Sequence, residues 1–397
     1  MIMKIPEKER GAKQRPIYWD KNLQIIFGIT LMAIIGVTSI TPAFPKIAQE
    51  LKIPPNEVGL LISVFTGPMI VLTLIFGMLG DRLERKKIIV PSLFIYGIAG
   101  GGCSLARDFN ILLILRFFQG VGGSALFPLA LSTICDIYSG KERTAALGYN
   151  SSINHLGHTI FPAIGGALAM FGWNYPFMLA TLAIPIGLLV LFSMKSPKQK
   201  IKQGFRGYLI TAFSSMKNIQ VVGLFIASAF LFIITYGAYL TYLPFLLANS
   251  FGASPFVIGL IILIMYFTSA ITSSQLGKLA KIIPEKSLIK IALLLYLPAL
   301  VFIPSAPDIW VMILPVAILG IVWGISIPTI YAILGELAPE ECRAAFISVD
   351  EMFVRVGQTL GPILMVLAFS AWGISGVFYA AAIFSIVMLA LVVIMVR

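Results

Sequence analysis

Residues 157–162 read Gly-His-Thr-Ile-Phe-Pro, and residues 357–362 read Gly-Gln-Thr-Leu-Gly-Pro. The two segments stand 200 positions apart. Working outward from them at that offset, the punctuation of the chain keeps coinciding. Gly59-Leu60 meets Gly259-Leu260, Gly77 meets Gly277, Gly120 and Pro128 meet Gly320 and Pro328, Asp136 meets Glu336, and Arg143 meets Arg343. Glycine and proline set backbone geometry and close packing, so sharing them at one offset predicts two halves of similar shape.

What the halves are made of follows from composition. The 397 residues are 58% hydrophobic and 12% charged, with a mean hydropathy of +0.95. A soluble domain carries roughly 25% charged residues because its surface faces water; most of this chain faces lipid. There only helices and closed barrels satisfy every backbone group. The apolar runs reach helix length, such as Ile374–Val396 without a single charge, whereas a transmembrane strand needs about 10 residues and alternates polar with apolar.

Reading those runs between charge clusters and Pro/Gly breaks gives twelve spans, at 23–44, 56–79, 88–106, 110–135, 144–169, 173–194, 219–247, 256–280, 287–304, 309–335, 343–369 and 373–396. The expected organisation is an N-terminal tail (1–22), a six-helix half (23–194), a linker loop (195–218) and a second six-helix half (219–397) in the same orientation. An even number of spans puts both termini on one side. Nearly all Lys and Arg fall on that side; Lys46, Lys52 and Arg107 fall on the other, and Arg116 and Arg355 lie inside spans. Excess positive charge marks the cytoplasmic face, so both termini are expected there, in a multi-pass protein of the cell membrane. The net charge of +12 is thus a topology signal and not a nucleic-acid footprint. Cys103, Cys135 and Cys342 have neither disulfide nor metal spacing, and no metal or cofactor is expected. The polar first 22 residues do not resemble a cleavable signal peptide.

Three motifs refine the picture. Gly77-Met-Leu-Gly80-Asp81-Arg82-Leu-Glu84-Arg85-Lys86 resembles the major facilitator loop signature G-x-x-x-D-R-x-G-R-R/K, with Glu84 in place of the usual glycine. Arg116-Phe-Phe-Gln119-Gly120-Val-Gly122-Gly123 resembles that family's R-x-x-Q-G-x-G-G element. Gly148, Gly157, Pro162, Gly165 and Gly166 are similar to the antiporter signature G-x8-G-x3-G-P-x2-G-G, with Phe161 where a glycine is usual. The resemblance implies the twelve-helix major facilitator fold and the drug/proton antiporter branch. It implies that Asp81 caps the eleventh span, that Gly77, Asp81, Arg82 and Arg85 form a cytoplasmic gate, and that Arg116 takes part in proton coupling. Glycines permit tight helix contact and the proline a bend, which assigns the span-five set to packing.

Charges inside spans are expensive and mark function. Span eleven holds Asp350, Glu351 and Arg355. Glu351 and Arg355 are spaced i, i+4 in the order that favours an ion pair, and Asp350 points about 100° away. Arg355 lies about 18 Å along the helix from its basic-loop end, near mid-membrane. At the 200-residue offset Asn150 matches Asp350, His155 matches Arg355 and His158 matches Gln358, predicting a shared central cavity with polar faces from both halves. His155 and His158 titrate near neutral pH and join the proton-coupling candidates. Tyr236, Tyr239 and Tyr242 form an i, i+3 stripe, of which Tyr236 and Tyr239 are expected to wall the cavity and Tyr242 fits an interfacial belt better. Span one has no carboxylate.

These readings converge on a secondary transporter of small, lipophilic or drug-like molecules, driven by proton exchange and functional as a monomer. The competing expectation is a facilitator-type importer or uniporter of a small metabolite. An enzyme is not expected, because no nucleophile–base pair, metal cluster or nucleotide loop appears and the loops are short.

Overall fold

A computed structural model of the chain describes residues 17–194, 218–338 and 343–396. Among them every regular element is helical. The elements are α1 (Lys21–Leu51), α2 (Leu60–Arg82), α3 (Arg85–Leu105), α4 (Phe109–Ile137), α5 (Gly140–Phe171) and α6 (Tyr175–Ser193). The second half has α7 (Ile219–Phe251), α8 (Pro255–Leu279), α9 (Glu285–Ser305) and α10 (Ile313–Leu337). A final run, Arg343–Met395, contains a non-helical Gly373 at φ 66°, ψ −162°, and is taken as α11 (343–372) and α12 (374–395). The expected tail and linker fall largely outside the described residues.

Local chemistry explains the boundaries. Asp20 and Asp108 accept from the amides of Asn22 (2.8 Å) and Asn110 (2.9 Å), capping α1 and α4, as short acidic side chains do at helix starts. Gly373 accommodates a positive φ that a residue with a Cβ resists. Ten helical runs are long and apolar enough to cross a bilayer. The last of these covers 50 residues, about 75 Å of helix, so it crosses a ≈ 30 Å core twice, once on each side of Gly373. α5 is not among the ten, because Asn150, Asn154, His155 and His158 make its uncharged stretch too polar. Its 32 residues nonetheless pack along α1 and α8, so it crosses with them. Phe171, Phe192, Leu367 and Ile98 are exposed on the outer surface, as lipid-facing side chains are.

The two halves repeat each other in contacts as well as in sequence. A Cβ on Gly120 of α4 would overlap the Phe65 carbonyl of α2; one on Gly320 of α10 would overlap the Met265 carbonyl of α8. Across the halves, Gly59 at the start of α2 abuts Pro362 of α11, and Gly259 of α8 abuts Pro162 of α5. α5–α8 and α2–α11 therefore form two equivalent seams. Both seams are tightest at the end remote from the basic loops. There the Ser63 hydroxyl donates to the Thr359 carbonyl at 2.8 Å, and Gly166 lies against the Pro255 carbonyl. The molecule is thus closed at that far end.

Candidate functional site

The i, i+4 spacing on α11 delivers its ion pair: Arg355 Nη2 stands 3.6 Å from Glu351 Oε2, each side chain one-fifth exposed. Arg355 Nη1 also donates to Gln358 Oε1 at 2.9 Å, and the Tyr331 hydroxyl of α10 donates to Glu351 Oε1 at 2.9 Å. Beside this pair stands an aromatic wall drawn from both halves. His158 of α5 stacks on Tyr266 of α8 with centroids 5.0 Å apart and meets Trp323 of α10 edge-on at 6.5 Å. Phe232 of α7 links Trp323 (5.4 Å) to Tyr236 (5.8 Å). Trp323 Nε1 donates to Thr235 Oγ1 at 3.0 Å, fixing the indole. His158 lies within electrostatic reach of Arg355, as does Tyr236, so charge and wall form one cluster at the junction of the halves.

Asp350 belongs to a different face. It is 1% exposed and lies in the seam between α11 and α7, where the Ser228 hydroxyl donates to its carboxyl. Phe346 and Phe353, on the same face of α11 at i−4 and i+3, are both met by Phe225 of α7. Oδ1 of Asp350 is buried without a hydrogen-bond partner. The titratable groups that reach it are Glu351 and Tyr331. In the first half the equivalent position carries Asn150, whose Oδ1 accepts from Thr30 of α1 at 2.8 Å in the equivalent α5–α1 seam. His155 is partly buried further along α5.

Arg116 is fully buried inside the first half. Its Nε donates to the Leu61 carbonyl at 2.9 Å, Nη1 to Gln119 Oε1 at 2.7 Å, and its guanidinium lies 4.1 Å from the centre of the Phe65 ring. These contacts tie α4 to α2. Removing the donor leaves the buried Gln119 side-chain oxygen unmet, which costs about 1–3 kcal/mol. Arg116→Gln is therefore expected to lower the midpoint of thermal unfolding in detergent by about 5 °C; an unchanged midpoint contradicts this packing role.

The tyrosine stripe does not form as one face. α7 opens into a π-helical turn over Ile234–Tyr242, and in the wider turn residues three apart diverge. Tyr236 faces Phe232, the Tyr239 hydroxyl donates to the Ile262 carbonyl at 3.4 Å, and Tyr242 stacks on Phe369 at 5.1 Å. Only Tyr236 reaches the ion pair. Of the expected gate, the side chains of Asp81 and Arg82 lie outside the described residues. Arg85 pairs with Asp136 and Ser132 of α4 within its own half, and Gly77 faces open space, as does Gly148. Gly157 packs on Leu31 and Ile34 of α1, and Gly165 against the Ser39 backbone. A separate cavity of about 580 Å³, lined by Glu285, Lys286 and Glu336, lies about 20 Å along α10 from Trp323 and takes no part in the cluster. Sequence reading missed Tyr266, Trp323, Tyr331, Phe232 and Ser228. Single aromatic or hydroxyl residues in apolar spans carry no periodic signal, and neither Trp323 nor Phe232 has an aromatic residue at the 200-residue offset.

Two like-oriented six-helix bundles meeting around a polar cluster in lipid define a membrane transporter of small molecules, not an enzyme. The chain belongs to the Major Facilitator Superfamily, whose family model matches residues 26–248 and 225–397. It is 26% identical over 356 residues to Multidrug resistance protein 1 of Bacillus subtilis (strain 168), covering 87% of this chain and 89% of that one. It is 23% identical over 351 residues to the Quinolone resistance protein NorA of Staphylococcus aureus (strain COL), covering 87% and 89%. Among solved structures it superposes on a bacterial homologue of the human lysosomal transporter Spinster with a TM-score of 0.82 at 19% identity, covering 96% of this chain and 98% of that one. It superposes on the nucleoside transporter NupG with a TM-score of 0.81 at 14% identity, covering 95% and 100%.

Proposed function

We propose that this chain exports small, lipophilic or drug-like molecules across the plasma membrane in exchange for protons, by alternating access, with both termini in the cytoplasm. The observation that carries the reading is Asp350: a carboxyl buried between α7 and α11 of one half, with one oxygen unpartnered, one residue from an ion pair that faces the cluster. A carboxyl so buried exchanges a proton only in a conformation that lets water reach it, which ties protonation to the conformational change. Substrate enters from the basic-loop end while the far end is closed, meets the wall of His158, Tyr266, Trp323, Phe232 and Tyr236, and is released when the α5–α8 and α2–α11 seams part. Both walls come from one chain, so a monomer suffices. The resistance-protein relatives support the outward direction. A nucleoside transporter among the structural neighbours makes metabolite import the rival.

Everted membrane vesicles test the direction. With an acid interior established and followed by a pH-sensitive dye, some members of a panel of aromatic compounds are expected to dissipate the gradient. The same compounds are expected to fail in Asp350→Asn/Glu351→Gln vesicles. No response to any compound with folded protein present, or equal responses in the double variant, removes proton antiport in favour of facilitated transport.

A further inference from the structure

Resting on that reading, and narrowing its substrate class, we infer that the cluster recognises planar aromatic carboxylates, the ring lying along the wall and the carboxylate on Arg355. The argument begins from unmet hydrogen-bonding capacity. Nε of Arg355 is buried without a partner, as are Nδ1 of His158 and the hydroxyl of Tyr266. Arg355 Nη2 faces Glu351 at 3.6 Å, longer than a hydrogen bond. The guanidinium has five donors in a fixed fork, and a single firm bond, to Gln358, holds it. The acceptor side is already engaged: Glu351 Oε1 takes the Tyr331 hydroxyl and Oε2 faces Arg355. Asp350 is turned into the α7 seam with Ser228. What the cluster lacks is an acceptor.

Buried donors left unmet are unfavourable, and a bidentate carboxylate matches the arginine fork in shape and charge. The wall sets the rest of the ligand. The rings are linked at 5.0–5.8 Å, His158 stacked on Tyr266 and the others tilted or edge-on, and their faces and edges offer contacts to an aromatic ligand. Aromatic walls also attract cations, but here the adjacent guanidinium keeps an unmet donor at Nε, and the acid that would favour a cation has partners on both oxygens. The balance favours an anion.

Two fluorescent probes with one ring system separate the charges: anthracene-9-carboxylate and (anthracen-9-ylmethyl)trimethylammonium, titrated against the purified full-length protein in detergent. The carboxylate is expected to bind about tenfold tighter than the ammonium. Arg355→Gln is expected to erase that preference. Glu351→Gln, which frees the guanidinium, is expected to strengthen carboxylate binding about tenfold, a gain that misfolding does not produce. Trp323→Ala weakens both probes alike. Equal or tighter binding of the ammonium, opposite signs in the two variants, or no binding of either probe overturns the inference. The exporter reading fails separately. If the carboxylate binds as expected yet moves no protons in everted vesicles, export by antiport falls and the specificity stands; if only the ammonium moves protons, the reverse holds.

Discussion

Gly259→Val is expected to hold the transporter open at its far end and to lower transport about a hundredfold. In the closed far end the α carbon of Gly259 lies against the Pro162 carbonyl and Ala163 of the opposite half. A side chain there meets backbone, which cannot rotate away, so α5 and α8 must separate for the valine to fit. Overpacking of this kind costs about 3 kcal/mol, and a two-state equilibrium displaced by that amount shifts roughly a hundredfold. The conformation in which the seam is parted bears no such penalty, so folding and expression are retained. Gly59, which abuts Pro362 in the symmetry-related seam, is expected to behave the same way. The check is Ser63→Cys, buried in the α2–α11 seam, in a background lacking Cys103, Cys135 and Cys342. With valine at 259 it reacts with an impermeant maleimide from the far side much faster than it does with glycine there. Normal transport by Gly259→Val refutes the assignment of this contact to the gate.

The second large effect concerns coupling. Asp350→Asn is expected to reduce uphill, proton-driven transport about a hundredfold while leaving substrate binding and energy-independent counterflow near normal. The protein itself shows that an amide fits such a position, since Asn150 occupies the equivalent place and accepts from Thr30 at 2.8 Å. An asparagine at 350 keeps a carbonyl oxygen for the Ser228 hydroxyl and loses only the capacity to bind and release a proton. The Glu351–Arg355 pair, on the other face of α11, is untouched, so the ligand cluster persists. Uphill transport that survives Asp350→Asn refutes coupling through this residue. Loss of binding and counterflow together points to a structural role for it.

These two positions illustrate how unevenly the protein was legible. Membrane residence, the repeat and the approximate place of each span follow from the chain alone, because apolar length, charge distribution and Gly/Pro punctuation are local properties that lipid enforces residue by residue. The 200-residue offset went further than helix count: it matched Gly59 with Gly259 and Pro162 with Pro362, and the fold joins these residues crosswise. The Glu351–Arg355 pair was legible for the same reason, being set by one turn of one helix. What only the tertiary structure decided is the partner of each group. The π-helical turn of α7 sends three tyrosines of one apparent stripe to three different neighbours. The burial of Arg116 turns an intramembrane charge into a tie between α2 and α4. Tyr331 reaches the charged pair, and Tyr266 and Trp323 the aromatic wall beside it, because separate helices converge there, and convergence leaves no mark in sequence spacing. Period and composition specify which surfaces face lipid; register between helices specifies which side chains meet, and that is settled only when the seams close.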